Sequence, residues 1–176
     1  MIISKQLSKH QKGFSLIELG IVLGLIALTI VGVTILYNSL TGNVKNESMI
    51  KQITMISQGI NKIYRASGGN YAGLTTQTVI DSGLVMSDLL HGGNAIGTSW
   101  YGSDHNSLIT VAPADGTKFN ITLARIPKDS CTAIGSNYLH GNSLAVTANG
   151  TLVNSSDALA TRCANNNPAT LVITFY

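Results

Sequence analysis

The longest uninterrupted hydrophobic stretch lies near the start of the chain. From Leu19 to Val44 the only ionisable side chain is Tyr37. Its apolar part, Leu19–Leu36, is 18 residues long, about 27 Å as an α-helix at 1.5 Å per residue. That meets the length of a membrane span. Past Tyr37 the pattern changes. Leu40, Val44, Met49, Ile53, Ile56, Ile60 and Ile63 recur at spacings of 4, 5, 4, 3, 4 and 3. This is helix period with one slip, and Lys45, Glu47, Lys51 and Lys62 occupy the polar sides. Arg65 suits the C-terminal end of the helix dipole, and Gly68-Gly69 stops the helix. One helix from Ser15 to Ala66 is predicted, about 75 Å long. Its first half is oily all round and needs lipid or other helices. Its second half is oily on one side and needs a folded domain against it.

That domain is expected over residues 68–176. Thr76 reads as the cap of a short helix, Gln77 to Asp81, and Ser87 as the start of a turn through Leu90. Residues 92–116 are rich in Gly, Ser and Asn and read as loop, with one strand at Leu108–Ala112. Phe119–Ile126 alternates apolar with small or polar residues and ends at Pro127. Ser143–Ala148, Asn149-Gly150 and Thr151–Val153 form a hairpin signal with a tight turn. Leu171–Tyr176 reads as a last strand, and helical turns start at Lys128-Asp129-Ser130 and at Asp157. The fold class is α+β: a long N-terminal helix whose second half packs on an antiparallel β-sheet head. Four segments follow: 1–13, 14–37 (membrane or core helix), 38–67 (amphipathic helix) and 68–176 (globular head).

Composition sharpens this picture. Only 11% of the 176 residues are charged, against ~25% in ordinary soluble domains. The formal charge of +3 comes from Lys5, Lys9 and Lys12; beyond Gly13 cations and anions are equal in number. No basic surface for nucleic acid remains. Those three lysines, with no other before Lys45, put the N-terminus in the cytoplasm and the head outside by the positive-inside rule. No small-x-small cleavage site follows the apolar run, so it does not read as a secretory signal. Two cysteines, Cys131 and Cys163, suit one disulfide in an oxidising compartment or two free thiols in a reducing one. An external head favours the disulfide. Closing that loop stabilises by ~3.7 kcal/mol on the chain-entropy estimate.

Glu18 is the anomaly, a carboxylate at the mouth of the apolar run. Insertion scales charge about 2.5–3.5 kcal/mol for an acidic residue at mid-membrane, and less near the interface. The run offers no lysine or arginine as partner. Cleavage just before Phe14 would create an α-amine about one helical turn from Glu18. The better geometry is between molecules, the amine of one subunit against Glu18 of the next. That contact would neutralise both charges and fix the axial stagger. Gly20 and Gly24 form a small-xxx-small pair that lets helices approach closely in lipid.

Lys12-Gly13-Phe14-Ser15-Leu16-Ile17-Glu18 followed by an apolar helix resembles the class III signal of type IV pilins. The resemblance implies a prepilin peptidase that cuts between Gly13 and Phe14 and methylates Phe14, with Glu18 as the assembly glutamate. It also implies a C-terminal disulfide-bounded region, here Cys131 with Cys163. The 13-residue leader, the absence of any proline before Pro113 and the stretch Ile121–Ile126 before Lys-Asp-Ser-Cys resemble the type IVb, bundlin-like subclass; Phe14 is more usual in type IVa.

The expected function is therefore a pilus subunit, not an enzyme. It would polymerise as a helical homo-oligomer into a surface filament for adhesion, aggregation or contact between cells. The expected partners are the peptidase, the assembly machinery of the inner membrane and a receptor on a host or sister cell. A minor pilin or type II secretion pseudopilin shares the same N-terminus, and a membrane-anchored binding domain is the alternative from another class. No cofactor is expected. No metal site is expected either, since the last 47 residues hold Asp157 as their only acid, too few hard ligands for calcium. Asp104-His105 sits in a glycine-rich loop beside Ser103 and Ser107, adjacent in sequence where a catalytic triad is a spatial arrangement. Trp100-Tyr101 fits either a sugar-stacking platform or a core aromatic pair.

Overall fold

The computed structural model of the chain describes residues 15–66, 68–141 and 143–176, and of residues 35, 36, 38 and 39 the backbone. The chain divides into two units, Met1–Thr41 and Gly42–Tyr176. Helix α1, Leu16–Arg65, contributes to both. It ends where the sequence indicates. Gly68 and Gly69 take φ of 85° and 74°, and the Gly69 amide donates to the Tyr64 carbonyl at 2.9 Å, closing the last turn in a left-handed conformation that glycine adopts without a Cβ penalty.

In the second unit α1 is followed by α2 (Thr76–Asp81), a 3-10 turn (Ser87–Leu89), and strands β1 (Leu90–His91), β2 (Ala95–Gly97), β3 (Leu108–Asp115) and β4 (Lys118–Ile126). Then come α3 (Lys128–Leu139), the hairpin β5 (Ala145–Ala148) and β6 (Thr151–Val153), α4 (Ser156–Ala164) and β7 (Ala169–Phe175). The strands form one seven-stranded sheet in the order β1-β2-β3-β4-β7-β5-β6, antiparallel at every pairing. At its centre Phe119, Ile121 and Leu123 of β4 lie opposite Phe175, Ile173 and Leu171 of β7, and all six are buried. Such cross-strand apolar pairs are what stabilise a sheet. Met49, Ile53, Ile56 and Ile60 of α1 join them in one core.

The aromatic rings run through that core as a chain of contacts. Centroid separations are 5.4 Å for Tyr64–Tyr71, 5.0 Å for Tyr71–Phe119, 5.5 Å for Phe119–Phe175 and 5.8 Å for Tyr138–Phe175. Tyr138 is fixed to α1 at its polar end: its hydroxyl donates to the Ile50 carbonyl and lies 3.0 Å from the Thr54 hydroxyl. Burial pushes its pKa up, and the bond to Thr54 opposes that shift.

Several local readings need correction. The cap of α2 is Thr75, whose hydroxyl accepts from the Thr78 amide. The Thr76 hydroxyl instead accepts from Val111 N–H at 2.9 Å, tying α2 to β3. Strand β2, within the stretch read as loop, is three residues long, too short to show an alternation. Strand β3 runs on past Pro113. Pairing with β2 involves only Leu108 and Ile109, so Pro113 sits on an edge where its missing N–H removes no ladder bond. In α1, Leu40, Val44 and Ile63 are exposed while Gln52 is fully buried. The Gln52 amide donates to the Leu84 carbonyl and accepts from Met86 N–H, so it satisfies backbone groups that burial would otherwise orphan.

Candidate functional site

The features for which the sequence suggests a role in assembly lie in the first unit. Leu16–Thr34 is a 19-residue helical segment of mean hydropathy 2.6, long and apolar enough to cross a membrane, and none of it is buried. Leu16, Ile17 and Leu28 are each more than 70% exposed. No atom lies within 4 Å of where a Cβ would stand on Gly20, Gly24 or Gly32. The polar groups inside the segment are handled locally: Thr29 and Thr34 hydroxyls donate to the carbonyls of Ile26 and Val31, each at 2.8 Å. This removes two donors that hydrocarbon would leave unsatisfied. Glu18 is exposed in the first turn of α1, where the positive end of the helix dipole favours a carboxylate. Gly13 and Phe14 lie outside the described residues.

At the other end of the chain, Cys131 and Cys163 form a disulfide with Cα atoms 5.8 Å apart. It joins the first turn of α3 to the last turn of α4. The helices approach closely because α3 carries Gly135: a Cβ there would meet Leu159 methyls at 2.8 and 2.9 Å. Asn149, at φ 49°, and Gly150, at φ 79°, make the tight turn between β5 and β6. The Asn149 side chain donates to the Arg162 carbonyl and accepts from Thr170 N–H, so one residue ties the hairpin to α4 and β7.

The loop between β2 and β3 is braced from below. Thr98 and Ser107 hydroxyls meet at 2.6 Å at its neck, and Trp100 is buried in the core. Tyr101 stacks on His91 at 3.7 Å with an 11° angle between rings, and His105 stands edge-on to Tyr101 at 5.0 Å. The Trp100-Tyr101 pair thus resolves into a core residue and a ring already covered on one face. Gly97 makes the stack possible, since a Cβ there would lie 2.6 Å from the His91 ring and 2.9 Å from Tyr101 Cβ. Asp104 accepts from Asn106 N–H at 3.0 Å and from Arg125 Nε at 2.6 Å. Both contacts, that of Asn106 first, hold its carboxyl below the usual carboxylate range. Arg125 reaches it from a bulge in β4 where its own φ is 53°. Asp104 therefore acts as a staple between loop and strand. Nothing in the sequence near Arg125 or Gln52 marks these roles; Gly97, a glycine beside a short β-forming pair, carries a local signal.

With this geometry in view, the profile of one protein family, PilS N terminal, matches residues 43–176. The chain belongs to the PilS N-terminal family. The major structural subunit of the bundle-forming pilus of Escherichia coli O127:H6 is 26% identical, over 95% of this chain and 95% of that protein. The subunit of the same description from Escherichia coli O111:H- is 27% identical, over 72% of this chain and 64% of that protein. Among solved structures, the type IV b pilin from Salmonella typhi superposes with a TM-score of 0.55 at 17% identity, covering 73% of this chain and 98% of the pilin. TcpA, a type IV pilin from Vibrio cholerae El Tor biotype, gives 0.50 at 13% identity, covering 75% and 99%. This PilS-family chain has the type IVb pilin fold.

Proposed function

We propose that this chain is a structural subunit of a type IVb pilus, polymerising through its N-terminal helices into a surface filament. The observation that carries the reading is the uncovered apolar segment Leu16–Thr34 with Glu18 in its first turn, on a chain whose second unit matches the PilS N-terminal family. Apolar surface of this extent needs lipid before assembly and other helices afterwards. The likeness to major subunits of the bundle-forming pilus supports a filament of many copies, whose proposed use is adhesion or contact between cells.

In this reading a prepilin peptidase cuts between Gly13 and Phe14 and methylates Phe14. The new α-amine meets Glu18 of the neighbouring subunit as the chain leaves the inner membrane. Each charge alone would cost free energy in a dry bundle, and pairing removes both penalties. The head faces the periplasm before extraction and the outside of the filament afterwards. Its role is structural, with no catalytic step.

The test is Glu18→Ala in the full chain. Processing and membrane insertion should persist while sheared filaments disappear. The intact mass of wild-type surface protein should correspond to a chain starting at N-methylated Phe14 with the disulfide closed. Normal piliation in the variant, or a surface chain beginning at Met1, would overturn the reading.

A further inference from the structure

Charge in the second unit is unevenly spread. From residue 91 to the C-terminus, Lys118, Arg125, Lys128 and Arg162 are balanced by Asp104, Asp115, Asp129 and Asp157. Two of these pairs are closed in the structure, Lys118–Asp115 and Arg125–Asp104. The imbalance sits elsewhere. Residues 42–65 of α1 carry Lys45, Lys51, Lys62 and Arg65 against Glu47 alone, whereas residues 66–90 carry Asp81 and Asp88 and no cation. None of these seven groups forms an ion pair among the described residues. Asp81 accepts from the Gln77 amide of its own helix. Lys51, Lys62, Arg65, Asp81 and Asp88 are all exposed.

The two surfaces are neighbours on different sides of α1. Gln52 and Gly59 hold the segment that carries the aspartates against one flank of the helix, through Leu84 and Met86. Lys51, Lys62 and Arg65 project from the outward side, while Lys45 is half-buried. The helix dipole favours cations in the last turn, where Lys62 and Arg65 stand, but neither has an ion-pair partner among the described residues. It explains neither Lys51 nor the cation-free segment beside it. An anionic membrane surface would attract the lysines nearest the span. Arg65, however, lies about 30 Å along the helix from Lys45, well beyond a Debye length of about 8 Å. A second copy of the chain carries the complementary charge on its exposed Asp81 and Asp88.

We propose that the acidic segment bearing Asp81 and Asp88 on one subunit docks against the basic outward face of α1, around Lys62 and Arg65, on the next. The proposal rests on the filament reading above and deepens it. The contact joins two different patches, so it is head-to-tail, and its repetition generates a ring if the rotation closes or an open helix if it does not; the filament reading requires the helix. Charge complementarity of this kind fixes register and partner choice more than it adds affinity.

The experiment is a charge-reversal cycle in the full chain, read as the mass of sheared filament per cell. Lys62→Glu with Arg65→Glu, and separately Asp81→Lys with Asp88→Lys, should each lower yield about tenfold or more; all four together should return it to within about threefold of wild type. Loss on both sides without rescue overturns the proposal. So does loss on the basic side alone, which would point to anionic lipid, or loss on the acidic side alone. Closure of the disulfide and protease resistance of the head report folding of each variant. Should a reversal fail to fold, Lys62→Gln with Arg65→Gln and Asp81→Asn with Asp88→Asn take its place. The combined neutral chain should then be no worse than either half, and additive loss overturns the docking. A wild-type chain that makes no filaments defeats the filament reading itself, a distinct outcome.

Discussion

Replacing both Cys131 and Cys163 with alanine removes the link between α3 and α4. The residues are 32 apart in sequence, so opening the loop releases about 3.7 kcal/mol of chain entropy in the unfolded state. Net stabilities of domains are about 5–15 kcal/mol, so this is a large share of the total. For a unit of this size, 1 kcal/mol corresponds to roughly 3–4 °C in Tm, and the expected fall is roughly 10–15 °C. The assay is thermal and urea denaturation of the purified full chain in detergent, followed by the tertiary signal of Trp100. Because the crosslink acts mainly on the unfolded ensemble, its removal should also raise the urea m-value as the freed loop expands. The two observables separate the mechanisms. A fall in Tm with unchanged m would mean that the bond acts through native contacts between α3 and α4. A fall below about 3 °C would refute the loop-entropy reasoning, since less than 1 kcal/mol would have been released.

Phe119, fully buried between the rings of Tyr71 and Phe175, should cost about 3–5 kcal/mol when changed to alanine, measured by urea denaturation. Asp115, which accepts from the Thr117 amide and then from Lys118 and the Thr117 hydroxyl, has its pKa lowered from 3.8 to about 2. A depressed carboxylate stabilises above its unfolded pKa and loses that contribution as pH falls through the folded one. Tm should therefore drop between about pH 4 and pH 2, and Asp115→Asn should make that drop shallower, the share of Asp104 remaining. Gly97→Ala forces a methyl against the His91 ring and Tyr101 Cβ. The ring can move but the Cβ cannot, so overpacking should cost about 1–3 kcal/mol, and the upfield ring-current shift of the His91 protons should vanish from the NMR spectrum.

Elements whose signal is local were legible in the sequence. The span, the Gly68-Gly69 stop, the Asn149-Gly150 turn and the alternations of β4 and β7 each follow from a few adjacent residues. What remained hidden depends on partners far along the chain. Arg125 looks like one more polar position in an alternating strand; its left-handed bulge has meaning only with Asp104, 21 residues earlier, in place. Gln52 looks like surface on polarity alone, yet it is buried because the segment at Leu84–Met86 presents backbone groups that need it.

The errors along α1 run in the opposite direction and carry more weight. Leu40 and Val44 fit the apolar stripe, yet they are 64% and 67% exposed. Hydrophobic period reports that a side chain wants cover, not which molecule supplies it. An exposed stripe that continues the apolar helix beyond Thr34 makes sense if other copies cover it. The exposed positions Tyr37, Leu40 and Val44 then extend the apolar surface offered by Leu16–Thr34. In the proposed filament, where Glu18 would meet the amine of a neighbouring subunit, packing of the helices would bury them.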